Sequence, residues 1–341
     1  MKNLNIRVTG GAGYVGSVLI PSLIEDDHNV KCLDRFFFGD KFLSSKQFEE
    51  NLELIRDDIR WFDSKILQDV DVVIDLAALS NDPVGELNPE KTYEINHHGR
   101  ARVAKLSKEA GVPRYILASS ASIFGQVEGT ADENSEVFPL TAYSKANRKA
   151  EIDNLALNDE EFTVTALRFS SLFGVSPRMR FDMAVNEMVL ELYKTKKITV
   201  RGKTNQRPFL HLKDAVNAYK LVLNESEEKI SGQIFNVGTD KQNYKIGDLA
   251  EEVAKSIDVN CSLELGDNKD HRSYFTSFKK IQDVLSFKPK FDVAYGAKEM
   301  FTALKNHEIN DSLETFTLKW YKHIMSDEYI SKKFSINGKL L

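Results

Sequence analysis

Thr9-Gly10-Gly11-Ala12-Gly13-Tyr14-Val15-Gly16 is the stretch that decides the fold. Before it, Leu4 to Thr9 reads as a short strand, with Arg7 as an unexpected guest. After it, Tyr14 to Ile24 reads as a helix, because Val15, Val18, Leu19 and Leu23 share one side. Glycines 10, 13 and 16 are spaced G-x-x-G-x-x-G. Glycine lets the backbone turn tightly and approach a pyrophosphate without a Cβ in the way, and the N–H groups at the helix start face the phosphates. A glycine triplet alone is a weak signal; its strand-turn-helix setting makes it a strong one. Pro21 falls inside the expected helix and removes a backbone hydrogen bond, which predicts a kink or a shortened first turn.

Asn29 to Leu33 reads as a second strand ending at Asp34. A carboxylate there accepts hydrogen bonds from the adenosine ribose hydroxyls and repels a 2′-phosphate, which favours NAD over NADP. Arg35 is the opposing signal, since a guanidinium pairs with that phosphate. Val70 to Leu76 is a strongly buried strand, Thr92 to Ala110 a long helix, Tyr115 to Ala118 a strand, Tyr143 to Leu157 a helix and Phe162 to Phe169 a strand. This alternation predicts an α/β fold, a doubly wound parallel sheet of Rossmann type with right-handed crossovers. Beyond Phe173 the pattern loosens, with helical stretches near 182–195, 214–224, 246–257 and 294–305 and short strands at Ile198–Val200 and Gln233–Val237. The expected division is a dinucleotide-binding domain over 1–174 and 206–240 and a smaller α/β substrate lobe over 175–205 and 241–325. Residues 326–341 read as an arm or frayed tail.

Composition limits the partners. The chain has 341 residues, is 42% hydrophobic and carries a net charge of −5. No global positive field exists to hold nucleic acid or an anionic membrane, so phosphate recognition must be local. No apolar run reaches spanning length and the first residues carry no signal-peptide pattern, which predicts a cytoplasmic protein. Cys32 and Cys261 are read as reduced thiols, and no His, Cys or carboxylate cluster has metal spacing.

With these residues in place, the chain resembles the extended short-chain dehydrogenase/reductases, in particular the NAD-dependent nucleotide-sugar epimerases and dehydratases. The resemblance spans nearly the whole chain. It is carried by the glycine turn, Asp34, Asp58-Ile59, Leu76-Ala77-Ala78, Asn96 in Y-E-I-N, S-S-A-S-I-F-G at 119–125, R-F-S-S-L-F-G at 168–174, R-P-F-L-H-L-K-D at 207–214 and F-N-V-G at 235–238. It implies NAD held by Gly10, Gly13, Tyr14, Val15, Gly16, Asp34, Arg35, Asp58, Ile59, Leu76, Ala77, Ala78, Asn96, Ser119, Tyr143 and Phe169. It also implies a nucleotide-diphosphate sugar held by Asn186, Arg207 and Arg272, because guanidinium groups pair with phosphate oxygens. Arg178, Ser80 and Ser122 are further candidates for the sugar pocket, and Arg180 could also point inward. Family members pair two long helices into a four-helix bundle, so a homodimer through 92–110 and 143–157 is expected.

The same resemblance implies a catalytic tyrosine, Tyr143, a hydroxyl partner, Ser120, and a lysine four residues after the tyrosine, on the same helix face. That lysine lowers the tyrosine pKa and holds the nicotinamide ribose. Here the position is Asn147. Lys145 and Lys149 lie off that face. A naturally slow enzyme, a replacement cation and a deliberately altered enzyme all fit, and on sequence grounds Asn147→Lys is expected to raise turnover. Family dehydratases carry an Asp-Glu pair directly after the active-site hydroxyl, where this chain has Ala121 and Ser122. That argues against 4,6-dehydration. Epimerisation through a transient 4-keto sugar survives, as does a ketosugar reductase or dehydrogenase. A non-catalytic NAD-binding homologue has only Asn147 in its favour.

Overall fold

The computed structural model describes residues 3–257, 259–267 and 270–341. Its centre is a parallel sheet of β1 (Asn5–Thr9), β2 (Asn29–Asp34), β3 (Leu52–Arg56), β4 (Val72–Asp75), β5 (Arg114–Ser120), β6 (Thr163–Phe169) and β7 (Ile234–Val237), in spatial order 7-6-5-4-1-2-3. Val8 of β1 pairs with Cys32 on one side and Ile74 on the other. The chain winds outward from β1 to β3 and then returns to β4. Connections after β1 and β4 therefore diverge and leave a crevice at the carboxyl ends, where such sheets bind ligands.

Both faces of the sheet are covered. On one face, Leu19, Ile20 and Leu23 of α1 (Gly16–Glu25) share a core with Tyr219 and Val222 of a helix at Leu212–Asn224. On the other, Val103 and Ala104 of α2 (Arg100–Glu109) pack with Tyr115 and Phe162. Every residue of β6 is buried, and its polar members are satisfied: Thr165 donates to the Ile230 carbonyl at 2.8 Å and Arg168 pairs with Glu151 at 2.6 Å. A separate core joins Val185, Val189 and Leu192 of the helix Ala184–Thr195 to Leu249, Val253, Met300 and Leu304.

Pro21 lies inside α1, which continues past it to Glu25. Full burial of Leu19, Ile20 and Leu23, each contributing about 1.5–3 kcal/mol, exceeds the roughly 3 kcal/mol penalty of an interior proline. The helix expected from Thr92 begins at Pro89, capped by Asn88, whose side-chain oxygen accepts from Lys91 N at 3.1 Å. It passes through a wide π-helical turn at Glu94–Gly99 before α2. The C-terminal residues are not frayed. They form a helix at Glu328–Phe334, capped by Asp327, and a bridge between Ile336 and Lys339. Arg35 donates to the carbonyls of Phe334 and Lys339, both at 2.9 Å, and Arg56 to that of Lys333 at 2.6 Å. The segment is thereby fastened to the β2 and β3 ends.

Candidate active site

A cleft of about 1510 Å³ opens at the carboxyl ends of the strands. Single-ligand pockets occupy about 300–1,000 Å³, so this one has room for two ligands. The glycine turn forms one wall. Gly10 has φ +67°, and a Cβ there would lie 2.7 Å from the Ala77 backbone. A Cβ on Gly16 would lie 2.3 Å from the Gly11 carbonyl oxygen. Only glycine satisfies the first conformation and the second close packing of helix on strand.

Asp34 faces the cleft and fixes the turn. Its carboxylate accepts from Ala12 N at 2.9 Å and Phe36 N at 2.7 Å. Burial pushes its pKa up, and those N–H groups and the Arg178 charge oppose the rise. Arg35 does not face a ribose phosphate site with a free guanidinium: it donates to Asp58 at 2.7 Å and to the two C-terminal carbonyls. Val15, Ile59, Leu76, Ala77, Ala78, Ser119 and Phe169 also line the cleft, so the residues fit an extended dinucleotide. Asn96 and Asn186 do not line it. Asn96 is fully buried and bonds both backbone groups of Leu79, at 2.8 and 3.0 Å. Asn186, also fully buried, accepts from Gly174 N and donates to the Tyr14 hydroxyl and the Arg180 carbonyl. Each shapes the wall from behind.

The helix α3 (Ala142–Leu155) brings Tyr143 to the cleft, with Thr141 and Ser144 forming a reciprocal cap at its start. Burial pushes the Tyr143 phenol above the usual tyrosine value, and Asp82 adds to the rise. A hydrogen bond with Ser120 and the charges of Arg100 and Arg180 oppose it. Ser120 also donates to Ser122 at 2.9 Å. Ala121 is fully buried, so no carboxylate directly follows Ser120 in the cleft. Asn147 has both polar groups engaged. Its amide nitrogen donates to the Tyr143 carbonyl at 3.0 Å, and its oxygen accepts from Arg100 at 2.8 Å. Lys145 and Lys149 are exposed, as their helix positions predict.

At the far end, Arg272 donates to Asp270 at 2.7 and 2.9 Å and to Asp82, while Arg207 reaches Asp270 at 3.0 Å. Burial opposes ionisation of Asp270, but Arg272 holds its carboxyl down to about 2. Arg178 is buried, stacks 3.6 Å from the Phe38 ring centroid and donates to the Thr317 hydroxyl at 3.0 Å. Burial and the neighbouring Arg180 lower its pKa to about 9, and its Nε has no partner among the described residues. Ser80 accepts from Arg180 at 3.0 Å, and Arg180 is paired with Asp182.

Sequence reading missed Arg100 and Leu340–Leu341 as lining residues, and left the Ser80–Pro83 segment, which contains Asp82, open between pocket wall and plain turn. Arg100 follows the buried Asn96 by one helical turn, on the face that also carries Val103 and Ala104, and a charge on an inward face was the available signal. Asp82 sits in a short turn whose direction had no periodicity to read. The leucines belong to an arm whose docking depends on Arg35 and the Phe37 ring.

A parallel sheet with a glycine-turn cleft and a serine–tyrosine pair defines a dinucleotide-dependent enzyme class. The chain belongs to the NAD-dependent epimerase/dehydratase family, whose model matches residues 6–238. NAD is its cofactor, and its hydride-accepting ring supplies redox chemistry when bound. UDP-glucuronic acid decarboxylase 1 of Arabidopsis thaliana is 29% identical over 323 residues, covering 91% of this chain and 72% of that protein. A putative UDP-glucose 4-epimerase of Methanocaldococcus jannaschii is 26% identical, covering 89% of this chain and 99% of that one. Among solved structures, UDP-glucuronic acid 4-epimerase from Bacillus cereus, in complex with UDP-glucuronic acid and NAD, aligns with TM-score 0.80 at 23% identity, over 89% of this chain and 100% of its own. The family thus comprises nucleotide-sugar epimerases, decarboxylases and dehydratases that use NAD.

Proposed function

We propose that this chain is an NAD-dependent nucleotide-sugar 4-epimerase working through a transient 4-keto sugar with the cofactor recycled. The observation carrying this reading is that Ser120 and Tyr143 open to the same cleft as the glycine turn and as Arg207 and Arg272. Tyr143 takes the proton from the sugar 4-hydroxyl and later returns it, and Ser120 holds the same oxygen. Arg207 and Arg272 hold the diphosphate, which competes with Asp270 for their guanidinium forks. The UDP-glucuronic acid bound in the Bacillus cereus structure makes UDP-sugars the first substrates to try. Absence of a carboxylate directly after Ser120 supports epimerisation over 4,6-dehydration. The division of the chain into cofactor and substrate lobes at 174–175, 205–206 and 240–241 belongs to the same reading.

The test is incubation with UDP-glucose, UDP-N-acetylglucosamine and UDP-glucuronic acid, followed by NMR of the anomeric and C4 protons. A C4 epimer formed without net cofactor consumption supports the proposal. A UDP-pentose with released carbon dioxide from UDP-glucuronic acid establishes the second reading, a decarboxylase, which the 29% identity over 91% of the chain favours. Stoichiometric NAD reduction with a ketosugar product establishes a dehydrogenase, the reverse of a ketosugar reductase.

A further inference from the structure

We propose that Arg100 is the cation of this catalytic site, reaching from α2 the position beside Tyr143 that Asn147 leaves uncharged. The inference rests on the tyrosine-based reading above. Arg100 is 1% exposed, yet it lines the cleft with Ser119, Ser120, Tyr143 and Asn147. One nitrogen donates to Asn147 at 2.8 Å. The others donate to the Asp75 carboxylate and carbonyl, each at 3.2 Å, and to the Ala118 carbonyl. Asp75 is fully buried behind it and also accepts from the Thr9 hydroxyl and the Tyr115 phenol. The pair is therefore oriented: its negative end is spread over hydroxyls in the core, and its positive end is bonded to Asn147, itself a lining residue of the cleft.

A buried ion pair serving packing alone is a poor bargain, because apolar side chains of similar volume stabilise at least as well. Its link to the helix that carries the phenol gives this pair a use. Asn147 completes the arrangement. Its oxygen holds the guanidinium, and its nitrogen is bonded to the Tyr143 carbonyl, so one amide ties the charge to the helix that carries the phenol. The groups facing the phenol are Asp82 from the turn after β4, Ser120 from β5, Arg100 from α2 and Arg180 from the segment before the helix at Ala184–Thr195. Arg180 is paired with Asp182. A lysine introduced at 147 would meet Arg100 at hydrogen-bond distance. Asn147→Lys alone should consequently lower turnover, reversing the expectation from sequence.

The test compares the full chain with Arg100→Gln, Arg100→Lys, Asn147→Lys and the double variant Arg100→Gln/Asn147→Lys, each with NAD. Two readouts are taken. Rapid mixing with UDP-glucose or UDP-glucuronic acid follows reduced nicotinamide at 340 nm against pH. Without substrate, absorbance near 295 nm, differenced against Tyr143→Phe in each background, titrates the Tyr143 phenol. Removing the charge in Arg100→Gln should raise the Tyr143 pKa by about one unit or more and slow hydride transfer at neutral pH by about tenfold or more, with sugar-nucleotide KM little changed. Arg100→Lys and the double variant should bring both readouts back toward the parent. An unmoved Tyr143 titration in folded Arg100→Gln overturns the proposal. If Arg100→Gln does not fold, the double variant decides: a titration matching the parent supports the assignment, and one raised by about a unit overturns it. If no nucleotide sugar is oxidised even by the parent, the functional reading fails, while the titration still settles Arg100.

Discussion

Replacing Asp34 by alanine should collapse the preference for NAD over NADP. In the parent, the carboxylate lines the cleft, held by Ala12 N and Phe36 N, and the expected ribose would meet it there. A hydrogen bond to a charged group contributes about 1.5–3 kcal/mol, so losing it should weaken NAD by about 10–150-fold. NADP adds a 2′-phosphate. Two unit charges 4 Å apart repel by about 4 kcal/mol at an effective dielectric of 20, which predicts about a thousandfold discrimination in the parent. Arg35 offers little relief, since Asp58 and the carbonyls of Phe334 and Lys339 already engage both of its terminal nitrogens. Asp34→Ala removes attraction for one cofactor and repulsion for the other. NAD should weaken while NADP holds or improves. Asp34→Asn, which keeps an acceptor for the turn, separates loss of charge from loss of structure. Titration calorimetry with both cofactors measures the effect. Equal weakening of the two, or a parent that binds NADP as tightly as NAD, refutes the reasoning.

Other outcomes can be stated more briefly. Leu340 and Leu341 line the cleft beside Asp57–Arg60, so Leu340→Asp should raise the NAD Kd by about tenfold and leave sugar-nucleotide affinity unchanged by calorimetry. Glu299 is held down to about 2, against burial, by His211 at 3.0 Å and by Lys213. A carboxyl depressed below its ordinary 4.5 contributes stability above that pH and loses it as pH falls toward 2. The contribution at neutral pH is at most about 3 kcal/mol. Glu299→Gln should flatten the fall in melting temperature between about pH 5 and pH 3, in scans run at matched ionic strength. A homodimer through α2 and α3 is expected in sedimentation at micromolar concentration. The outer side of α3 exposes Ile152 beside the His97–Asp153 pair, so Ile152→Asp should shift the protein toward monomer.

Legibility of the fold followed the range of the interactions that create each part. The glycine turn, Asp34 and the alternation of strands and helices could be read because each is a local pattern: φ at Gly10, burial along β6, amphipathic spacing in α1. Ser120 and Tyr143 could be placed by motif, and the structure brings them together across β5 and α3. Asn96 and Asn186 were identified as important but assigned to ligand contact. Their partners are Leu79, Gly174, Tyr14 and Arg180, and nothing local shows that the two amides turn to these groups.

Sequence by itself determined the class of fold, the cofactor and the loss of the usual lysine, because backbone conformation and side-chain periodicity are written into neighbouring residues. Only the tertiary structure decided where the charge went. Arg100 and Asn147 lie on different helices, and the wide turn at Glu94–Gly99 precedes Arg100 as the chain enters α2. It likewise decided that Arg35 serves Asp58 and the C-terminal arm. A guanidinium at the end of a long side chain chooses among acceptors by distance in space, and those distances exist only once the sheet and its helices have packed.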